Sequence, residues 1–544
     1  MDFGDSTFSK RHKAERIHFF AFHFTAMGQS HTKPEIKTSQ TFRPNKYLSK
    51  VELVSIKCVF NSLKSDFPDH FECIEPKNFL ARLALPSEVE PAGVLLFKAF
   101  SYLGSYPACT AAGPVPLSLD AFLTAFVVFI GRLGHELSET LFFQALSILP
   151  DPEEKKETPV TLEPPKKHGH SKGLSLEDLG VDFTDLDLDI QKKEKDDGPE
   201  ILCRDLIELF VLLLWLGSNE DHAENRRVAT DIVDSLEKTK DDTCVSYRVF
   251  SEWKSNFSPH LFKPIQSFIT QSFTYIERPS ERISQEDAIP APDQTDLLSH
   301  MHCTLLSWSL PEKVLNVKKW TRLYSAQQNG FSMNRFESHV FKYPGPTLMV
   351  LKIEAQPPKR YSSLSIATET NAKRNMLVGV YVPQTWKNSK YFWGTNECFL
   401  FELEPNFDIF RSNERTVNDH YIYYHHDTGI GFGARAEKGF DFTLSLENTL
   451  QGGVYENEAY PSSPAWMSFK RRKQDFKYIF ETVDVEVFGL GTEKDKEKQL
   501  KEWEFERKEA QRRSGLNIRL SDGELDKELL KMAGIIDEDK RQDR

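Results

Sequence analysis

The sequence predicts an α+β protein in which two helical modules precede a β-rich domain and a charged helical tail ends the chain. Apolar residues recur at steps of three and four through 49–149 and 200–276, which is the spacing of one helix face. Through 297–491, apolar and polar residues alternate in short runs between turn residues, as they do in antiparallel strands. Residues 492–544 carry closely spaced charges of both signs, which is typical of a solvated helix.

Composition places the chain among globular proteins with several domains. Its 544 residues exceed what one hydrophobic core usually holds, and no apolar run approaches the ~18 residues that a membrane span needs. The net charge of −12 argues against direct nucleic-acid contact, which requires a basic face. The seven cysteines are scattered and form no CxxC pair. These features predict a cytoplasmic protein without a metal site or cofactor.

The N-terminal arm, residues 1–48, contains a candidate lipidation site. The segment Met27–Thr32 fits the N-myristoylation pattern, which requires its glycine to become the first residue of the chain. Translation from Met27 would make Gly28 available for acylation and residues 1–26 a gene-model extension, whereas translation from the first residue would leave the motif inert. The sequence leaves both starts open. One myristoyl chain binds membranes only reversibly, so the prediction is a peripheral contact helped by basic residues of the arm.

The two helical modules resemble EF-hand-like scaffolds that have lost their metal ligands. In the first module, Phe122, Phe126 and Phe129 form one apolar stripe and are predicted core residues. In the second module, Ser246–Phe257 looks like the entering segment of a helix–loop–helix pair. This half of the chain is therefore predicted to be helical and degenerate EF-hand-like.

Two segments are predicted to be linkers. Residues 150–199 are rich in Pro, Lys, Glu and Asp and lack a continuous apolar face, which is typical of disorder. Residues 277–296 are polar and contain three prolines, and they separate the second helical module from the β-rich domain. The linkers leave three units to be folded: two helical modules and one β-rich domain with its tail.

Seven blocks of the β-rich domain identify a family. They begin at Leu323 and read, in order, LYSAQQNGFSMNRF, GPTLMVLK, LVGVYVPQTW, FWGTNECFLFELEP, YIYYHHDTGIGFGA, FTLSLENTLQGG and VDVEVFGLG. These blocks resemble the TLDc domain, and the resemblance covers residues 297–491. Its clearest marks are Leu323-Tyr324-Ser325, Gly330-Phe331-Ser332 and Gly345-Pro346-Thr347.

The resemblance implies a fold and a function. The fold is a β-sandwich flanked by helices, from which the polar insertion after Ile353 departs. TLDc proteins are linked to oxidation resistance and to the vacuolar proton-pumping ATPase, whose assembly some of them influence. No reaction is securely attached to the family. The implied partners are therefore subunits of that ATPase, and the implied location is the cytoplasm or the surface of the vacuolar membrane.

Two motifs in the domain invite a chemical interpretation that their context disfavours. Gly429–Ala434 matches G-x-G-x-x-[GA], but a dinucleotide site needs a helix after the motif and a strand-like run follows. We interpret the glycines as positions of close strand packing or of a tight turn between strands. His425, His426 and Asp427 are candidate metal ligands, yet neighbouring residues on a strand point to opposite faces. We interpret the two histidines as structural or surface residues.

One cluster supports an alternative function. Glu397 and Glu402 flank Cys398 near a predicted strand, and an enzyme of oxidative-stress protection would use this acidic and thiol neighbourhood. No nucleophile elbow, phosphate-binding loop or HExxH motif accompanies it. The preferred hypothesis is therefore a non-enzymatic adaptor, with the stress-protection enzyme as the alternative.

The tail contains a candidate partner-binding helix. Residues 492–513 are predicted to form a solvated helix that Ser514-Gly515 ends, with Leu500, Trp503 and Arg507 as its contact face. Ser521–Glu524 fits a capping box for a second helix. That helix either docks on the TLDc domain or binds a partner, and the sequence leaves both open. Its apolar stripe consists of Leu525, Leu529, Met532 and Ile536.

Overall fold

The computed structural model of the chain describes most of the helical and β-rich regions. The described residues are 42–67, 71–109, 114–147, 198–218, 221–239, 242–277, 288–356, 374–413, 419–434, 441–457, 466–470 and 476–521. Gly28, most of the predicted linker 150–199 and the stripe Leu525, Leu529, Met532 and Ile536 lie outside these ranges. The described residues from Pro44 onward belong to one compact unit.

The first helical module is built from five helices and a short hairpin in its described part. Helix α1 starts at an N-cap serine, because the Glu52 amide donates to Ser49 Oγ over 3.2 Å and the Ser49 amide donates to Glu52 Oε2 over 2.7 Å. The elements are α1 (Lys50–Leu63), β1 (Lys64–Phe67), β2 (Phe71–Ile74), α2 (Pro76–Leu83), α3 (Glu90–Leu103), α4 (Leu119–Phe129) and α5 (His135–Leu146).

The second helical module repeats the arrangement of helices joined by a short strand contact. Its elements are β3 (Glu200–Leu202), α6 (Cys203–Gly217), α7 (His222–Ser235), β4 (Cys244–Ser246), α8 (Tyr247–Phe257) and α9 (Lys263–Thr274). Strands β3 and β4 pair antiparallel, and in the first module Ile74 pairs with Leu117 in the same way. This is the arrangement expected of paired helix–loop–helix units. Among the described residues, no three His, Cys, Asp or Glu side chains are placed to hold a metal.

Phenylalanines join the two helical modules into one core. The ring of Phe273 in α9 lies 5.2 Å from that of Phe79 and 5.0 Å from that of Phe122, both in the first module. All three are buried, as predicted for Phe122. Arg82 adds a polar contact, because its Nε donates to the carbonyl of Ser272 over 2.7 Å, near the C-terminal end of α9. The two modules therefore pack as a single helical body.

The β-rich domain is a continuous, largely antiparallel sheet with helices before β6, between β6 and β7, and after β17. The helices are α10 (His300–Ser309), α11 (Glu312–Leu315), α12 (Ala326–Asn329), α13 (Met333–Val340) and α14 (Glu493–Ser521). The strands are β5 (Ala291–Pro292), β6 (Lys319–Ser325), β7 (Thr347–Ala355), β8 (Arg374–Val382), β9 (Ser389–Trp393), β10 (Phe399–Glu404), β11 (Asp408–Ser412), β12 (Ile422–His425), β13 (Gly429–Ala434), β14 (Phe442–Leu446), β15 (Gly452–Asn457), β16 (Trp466–Ser468) and β17 (Phe476–Gly489).

The sheet curls so that its two halves face each other. The strand order is β16-β11-β10-β8-β7-β17-β15-β14-β13-β12-β9, with β6 on the side of β17 and β5 on β6. Strands far apart in this order touch across the interior: the ring of Phe410 in β11 lies 6.1 Å from that of Tyr455 in β15. The predicted α+β class is confirmed, and the two layers of the predicted sandwich are parts of one curled sheet.

The domain starts earlier than its composition indicates. Residues 291–296 fall in the predicted linker, yet Ala291 and Pro292 pair with β6 in parallel. The amide of Asp296 donates to Glu486 Oε1 of β17 over 3.1 Å. Glu486 is fully buried, and Arg322 Nη1 of β6 lies 2.8 Å from its carboxylate. A buried ion pair thus fixes this segment to the sheet.

The C-terminal helix continues where the sequence predicted a break. Helix α14 runs from Glu493 to Ser521 through Ser514-Gly515, so the predicted end at those residues is wrong. An isolated glycine costs a helix only about 1 kcal/mol relative to alanine, which strong helix formers on both sides offset. None of the helices in the described ranges combines the length and apolar character needed to cross a membrane.

Candidate partner-binding surface

Helix α13 is the element around which the candidate surface is arranged. Its apolar face buries Met333, Phe336 and Val340 against the sheet. The ring of Phe336 lies 5.4 Å from Tyr324 and 5.3 Å from Trp386, and both contacts are edge-to-face. Other residues of α13 contact the C-terminal helix α14, the hairpin between β12 and β13, and Asn388 just before β9.

The first turns of α14 dock on the C-terminal end of α13. Gln499 Nε2 donates to the carbonyl of His339 over 2.8 Å, and Trp503 Nε1 donates to the carbonyl of Ser338 over 3.1 Å. These carbonyls belong to the last turn of α13, which has no intrahelical donors for them. The Trp503 ring also meets the His339 ring edge-to-face at 5.7 Å, and Glu506 pairs with Lys342. The tail helix therefore caps α13.

The contact face of α14 differs from the predicted one in two of three residues. Trp503 makes contact as predicted, but Leu500 is 54% exposed and Arg507 is also exposed. The face contains Gln499 and Glu506 instead, because hydrogen bonds to helix-end carbonyls and an ion pair select polar side chains. Apolar spacing alone does not reveal such a face.

The point where the chain leaves the sheet for α14 is fixed by Tyr343. Its hydroxyl accepts a hydrogen bond from the Gly491 amide over 2.7 Å, and burial raises the pKa of Tyr343 to about 12. A Cβ at Gly491 would lie 2.7 Å from that hydroxyl oxygen. The Thr492 amide then donates to Asp495 Oδ2 over 2.9 Å at the start of the helix. The direction in which α14 leaves the domain is thus set by buried contacts.

A polar cluster ties the other side of α13 to the β12–β13 hairpin. The hydroxyl of Tyr424 donates to Glu337, and Asn388 Nδ2 donates to the same carboxylate over 3.3 Å. Burial, with the hydrogen bond to Glu337 next, raises the pKa of Tyr424. His426 Nε2 lies 2.9 Å from Asn334 Oδ1. Sequence reasoning missed this cluster, because its members come from three segments that are far apart in the chain.

The two candidate metal-ligating histidines take part in the hairpin instead. His425 Nδ1 lies 3.9 Å from Asp427 Oδ2, and His426 Nδ1 lies 3.4 Å from Asp427 Oδ1. The side chain of Asp427 is 80% exposed, so these are surface contacts. Among the described residues, these three side chains and their neighbours form no group of three that is placed to hold a metal ion. The interpretation of the histidines as structural or surface residues agrees with this geometry.

The glycine motif is a strand, as predicted. Residues Gly429–Ala434 form β13, which pairs with β12 and β14. Gly433 has φ +69°, and a Cβ there would overlap the Trp466 ring, with Nε1 only 1.5 Å away. The motif thus permits close packing between the two layers of the sheet and opens no helix toward a phosphate.

The residues of the alternative catalytic cluster are not brought together. Cys398 is fully buried, and burial raises the pKa of its thiol to about 12. Glu397 is at the surface, with its carboxylate 2.8 Å from Lys313 Nζ. Glu402 is fully buried in β10, where the Tyr455 hydroxyl donates to it over 3.5 Å. A thiolate nucleophile is strongly disfavoured at Cys398 near neutral pH.

Replacing Trp503 by alanine is expected to loosen α14 from α13 by about 2 kcal/mol. The change removes a hydrogen bond worth about 1 kcal/mol and an aromatic contact worth about 0.5–1.5 kcal/mol. Hydrogen exchange of the amides in 493–506 should therefore become faster. Phe505→Ala is the matched control, because Phe505 is on the same helix and 62% exposed. Equal acceleration in both variants would show that Trp503 does not anchor the helix.

Thiol alkylation of the folded protein at pH 8 is expected to modify the exposed Cys58 and leave Cys398 unmodified. Burial raises the Cys398 pKa from its usual 9.0 to about 12. The buried neutral thiol therefore favours the folded state below about pH 9, and this advantage is lost as the pH rises toward 12. Peptide mass spectrometry after labelling reads out each site. Labelling of Cys398 as fast as Cys58 would restore it as a candidate nucleophile.

Comparison with known proteins relates this geometry to a family. Residues 291–491 match the family model described as TLDc domain. The match begins at Ala291, where β5 joins the sheet. It ends at Gly491, the residue that Tyr343 fixes before α14.

Fungal proteins named "Restriction of telomere capping protein 5" are similar to most of the chain. The one from Leptosphaeria maculans is 25% identical, and the alignment covers 95% of this chain and 97% of the relative. That from Colletotrichum graminicola is also 25% identical, over 90% and 94% of the two chains. That from Saccharomyces cerevisiae is 27% identical over 57% of this chain and 59% of its own. The first two alignments extend well beyond the TLDc domain, so they include the helical body.

Proposed function

We propose that the chain is a non-enzymatic TLDc adaptor that binds the vacuolar proton-pumping ATPase and influences its assembly. The observation that carries the proposal is where the polar and thiol groups of the domain lie and what they contact. Cys398 and Glu402 are buried, Glu337 and Tyr424 hold α13 on the hairpin, and the glycine motif packs between strands. These groups thus serve the fold, while α14 presents charged side chains to solvent.

The partner is inferred from the resemblance to TLDc proteins that act on the vacuolar ATPase. The C-terminal helix α14 is the element that binds this partner. Its first turns are fixed on α13, and the side chains of Arg507 and Lys508 farther along are exposed. Leu525, Leu529, Met532 and Ile536 follow it in the sequence and are the proposed binding stripe. At the other end, acylation of Gly28 would bring the protein to the vacuolar membrane from the cytoplasm.

We include only an indirect effect on telomere capping in the proposal. The relatives are named for restriction of telomere capping, but the net charge of this chain is −12, which disfavours direct contact with DNA. A protein that neutralises DNA phosphates needs clustered Lys and Arg. A change in ATPase assembly, and hence in cell physiology, is the route by which this chain would influence telomeres.

The alternative, an oxidative-stress enzyme centred on Cys398, is disfavoured by the buried thiol. Retained stress protection in Cys398→Ser and Glu402→Gln cells would separate the two hypotheses, since the adaptor needs neither group for chemistry. Cys398→Ser is the cleaner variant of the two, because Glu402 is fully buried beside Tyr455 and its change also tests packing.

Affinity capture from cells tests the proposed partner. The full chain should recover ATPase subunits, and Cys398→Ser should recover them equally. A chain ending at residue 492 should recover fewer, because it lacks α14 and the stripe. Trp503→Ala, which keeps the whole sequence, should give an intermediate yield. Equal recovery of the ATPase subunits with an unrelated bait protein would contradict the proposal.

A further inference from the structure

Two helix ends meet where the helical body contacts the TLDc domain. Helix α8 of the second helical module ends at Phe257, and α10 of the TLDc domain ends at Ser309. Ser309 Oγ donates to the Phe257 carbonyl over 2.6 Å, and the His260 amide donates to the Trp308 carbonyl over 3.1 Å. These bonds satisfy two of the carbonyls that helix ends leave open and bring the two C-termini together.

Arg411 of β11 reaches between the two helix ends. Its Nε donates to the Asn256 carbonyl of α8 over 3.0 Å, and its Nη2 donates to the Ser309 carbonyl of α10 over 3.0 Å. Its guanidinium also lies 4.3 Å from the ring centroid of Phe399 in the neighbouring strand. One side chain of the sheet therefore bonds both helices at once.

The charge of Arg411 is balanced in an unusual way. Within the described ranges, no carboxylate forms an ion pair with it. The C-terminus of a helix carries roughly half a negative charge, so two ends facing one guanidinium supply about one counter-charge. The planar fork of arginine matches two acceptors at fixed angles, which a lysine ammonium does not. Burial lowers the pKa of Arg411 to about 10, so the side chain stays protonated at physiological pH.

The contact between the helical body and the TLDc domain, here called the seam, continues on both sides of Arg411 with apolar and polar contacts. Trp308 meets Phe407 edge-to-face at 6.3 Å, and Phe257 meets Phe469 at 5.9 Å. Farther along, Arg227 Nη1 of α7 donates to the Pro405 carbonyl over 3.3 Å. A cavity of about 10 Å³ lies in this seam, which is room for at most one water. The contact is thus packed and not a loose tether.

We propose that Arg411 is the joint that docks the helical body onto the TLDc domain, so that the two parts move as one and the surface of β11 around Arg411 is closed to other proteins. The joint needs all three elements, because Arg411 comes from the sheet and its two acceptors come from α8 and α10. A partner of the TLDc domain then has to approach the sheet elsewhere. This inference stands whether or not the ATPase is that partner.

Hydrogen exchange on the full chain tests the joint. Arg411→Ala should accelerate exchange at least about tenfold in the last turns of α8 and α10, with β7 and β17 unchanged. Arg411→Lys keeps the charge but not the two-acceptor fork, and it should give a smaller acceleration at the same places. Arg335→Ala is the control, because Arg335 is an exposed arginine on α13.

Two results would overturn the proposal. One is unchanged exchange at both helix ends in the alanine variant. The other is a uniform rise across helices and sheet in the lysine variant, which would make Arg411 a general stability residue. If the alanine variant does not fold, the lysine variant decides between the local and the uniform pattern.

Discussion

Replacing Arg322 by alanine is expected to lower the free energy of unfolding of the TLDc domain by about 3–5 kcal/mol. Its guanidinium lies 2.8 Å from the carboxylate of Glu486 and 2.9 Å from that of Asp296. Glu486 is fully buried, so removing Arg322 leaves a buried charge without its cation. Thr295 Oγ1 donates to the same carboxylate over 2.7 Å, which means that the whole entry segment depends on it.

Chemical denaturation of the full chain, followed by a probe within the domain, measures this change. Lys313→Ala is the matched control, because the Lys313–Glu397 pair has the same 2.8 Å separation but both side chains are more than half exposed. Exposed pairs of this kind contribute about 0–1 kcal/mol. A similar small loss in both variants would show that the Arg322 network is not what holds β5 and β6 to β17.

Gly433→Ala is expected to cost about 2–5 kcal/mol, from two sources that act together. An L-residue at φ +69° loses about 1–2 kcal/mol of backbone energy. The added Cβ would also fall 1.5 Å from Trp466 Nε1 and 1.9 Å from its Cδ1, inside the ring of a fully buried tryptophan. Because the Trp466 ring is fully buried, relieving this overlap requires the ring and the residues around it to shift.

Gly330→Ala separates the backbone cost from the packing cost in the prediction for Gly433→Ala. Gly330 has φ +76°, and the nearest atom to its added Cβ is the flexible Nη1 of Arg335 at 3.5 Å. It should therefore show only the backbone cost, about 1–2 kcal/mol. Thermal and denaturant unfolding of both variants give the comparison. If Gly433→Ala is no worse than Gly330→Ala, the glycine motif does not serve close packing.

The elements that follow from local pattern were predictable from the sequence. Phe122 sits in a 3.6-residue stripe and is buried in the helical core, because helix periodicity decides which side faces inward. The seven TLDc blocks fall on successive strands and turns of the sheet and on the short helices α12 and α13. Gly429–Ala434 was interpretable as a strand, since the residues after it have strand character. In each case, neighbours within a few positions supply the decisive information.

The features that depend on distant residues were not predictable in this way. Helix α14 continues through Ser514-Gly515, although a serine–glycine pair often ends a helix. Its contact face includes Gln499, which is selected by a carbonyl of α13 about 160 residues earlier in the chain. The sequence around Arg411 gives no sign of its role, because its two acceptors come from α8 and α10. Periodicity within one segment does not show contacts between distant segments.

At the candidate partner-binding surface too, local features were predictable from the sequence and contacts between distant residues were not. Sequence alone identified Trp503 as a contact residue of the tail and interpreted His425 and His426 as structural or surface residues. It did not identify the Glu337–Tyr424 bond, which joins a helix to a strand 87 residues later. It also left Cys398 open as a nucleophile, because burial and its effect on the thiol pKa appear only in the folded chain.

The most direct test of the adaptor account is binding between the purified full chain and the purified vacuolar ATPase. Size-exclusion chromatography of the mixture should show co-elution, with Cys398→Ser binding equally and the chain that ends at residue 492 binding less. Activity of the ATPase, followed in the same fractions, reports whether binding changes its assembly. Elution of the chain and the ATPase as separate peaks, at concentrations where capture from cells succeeds, would contradict the account.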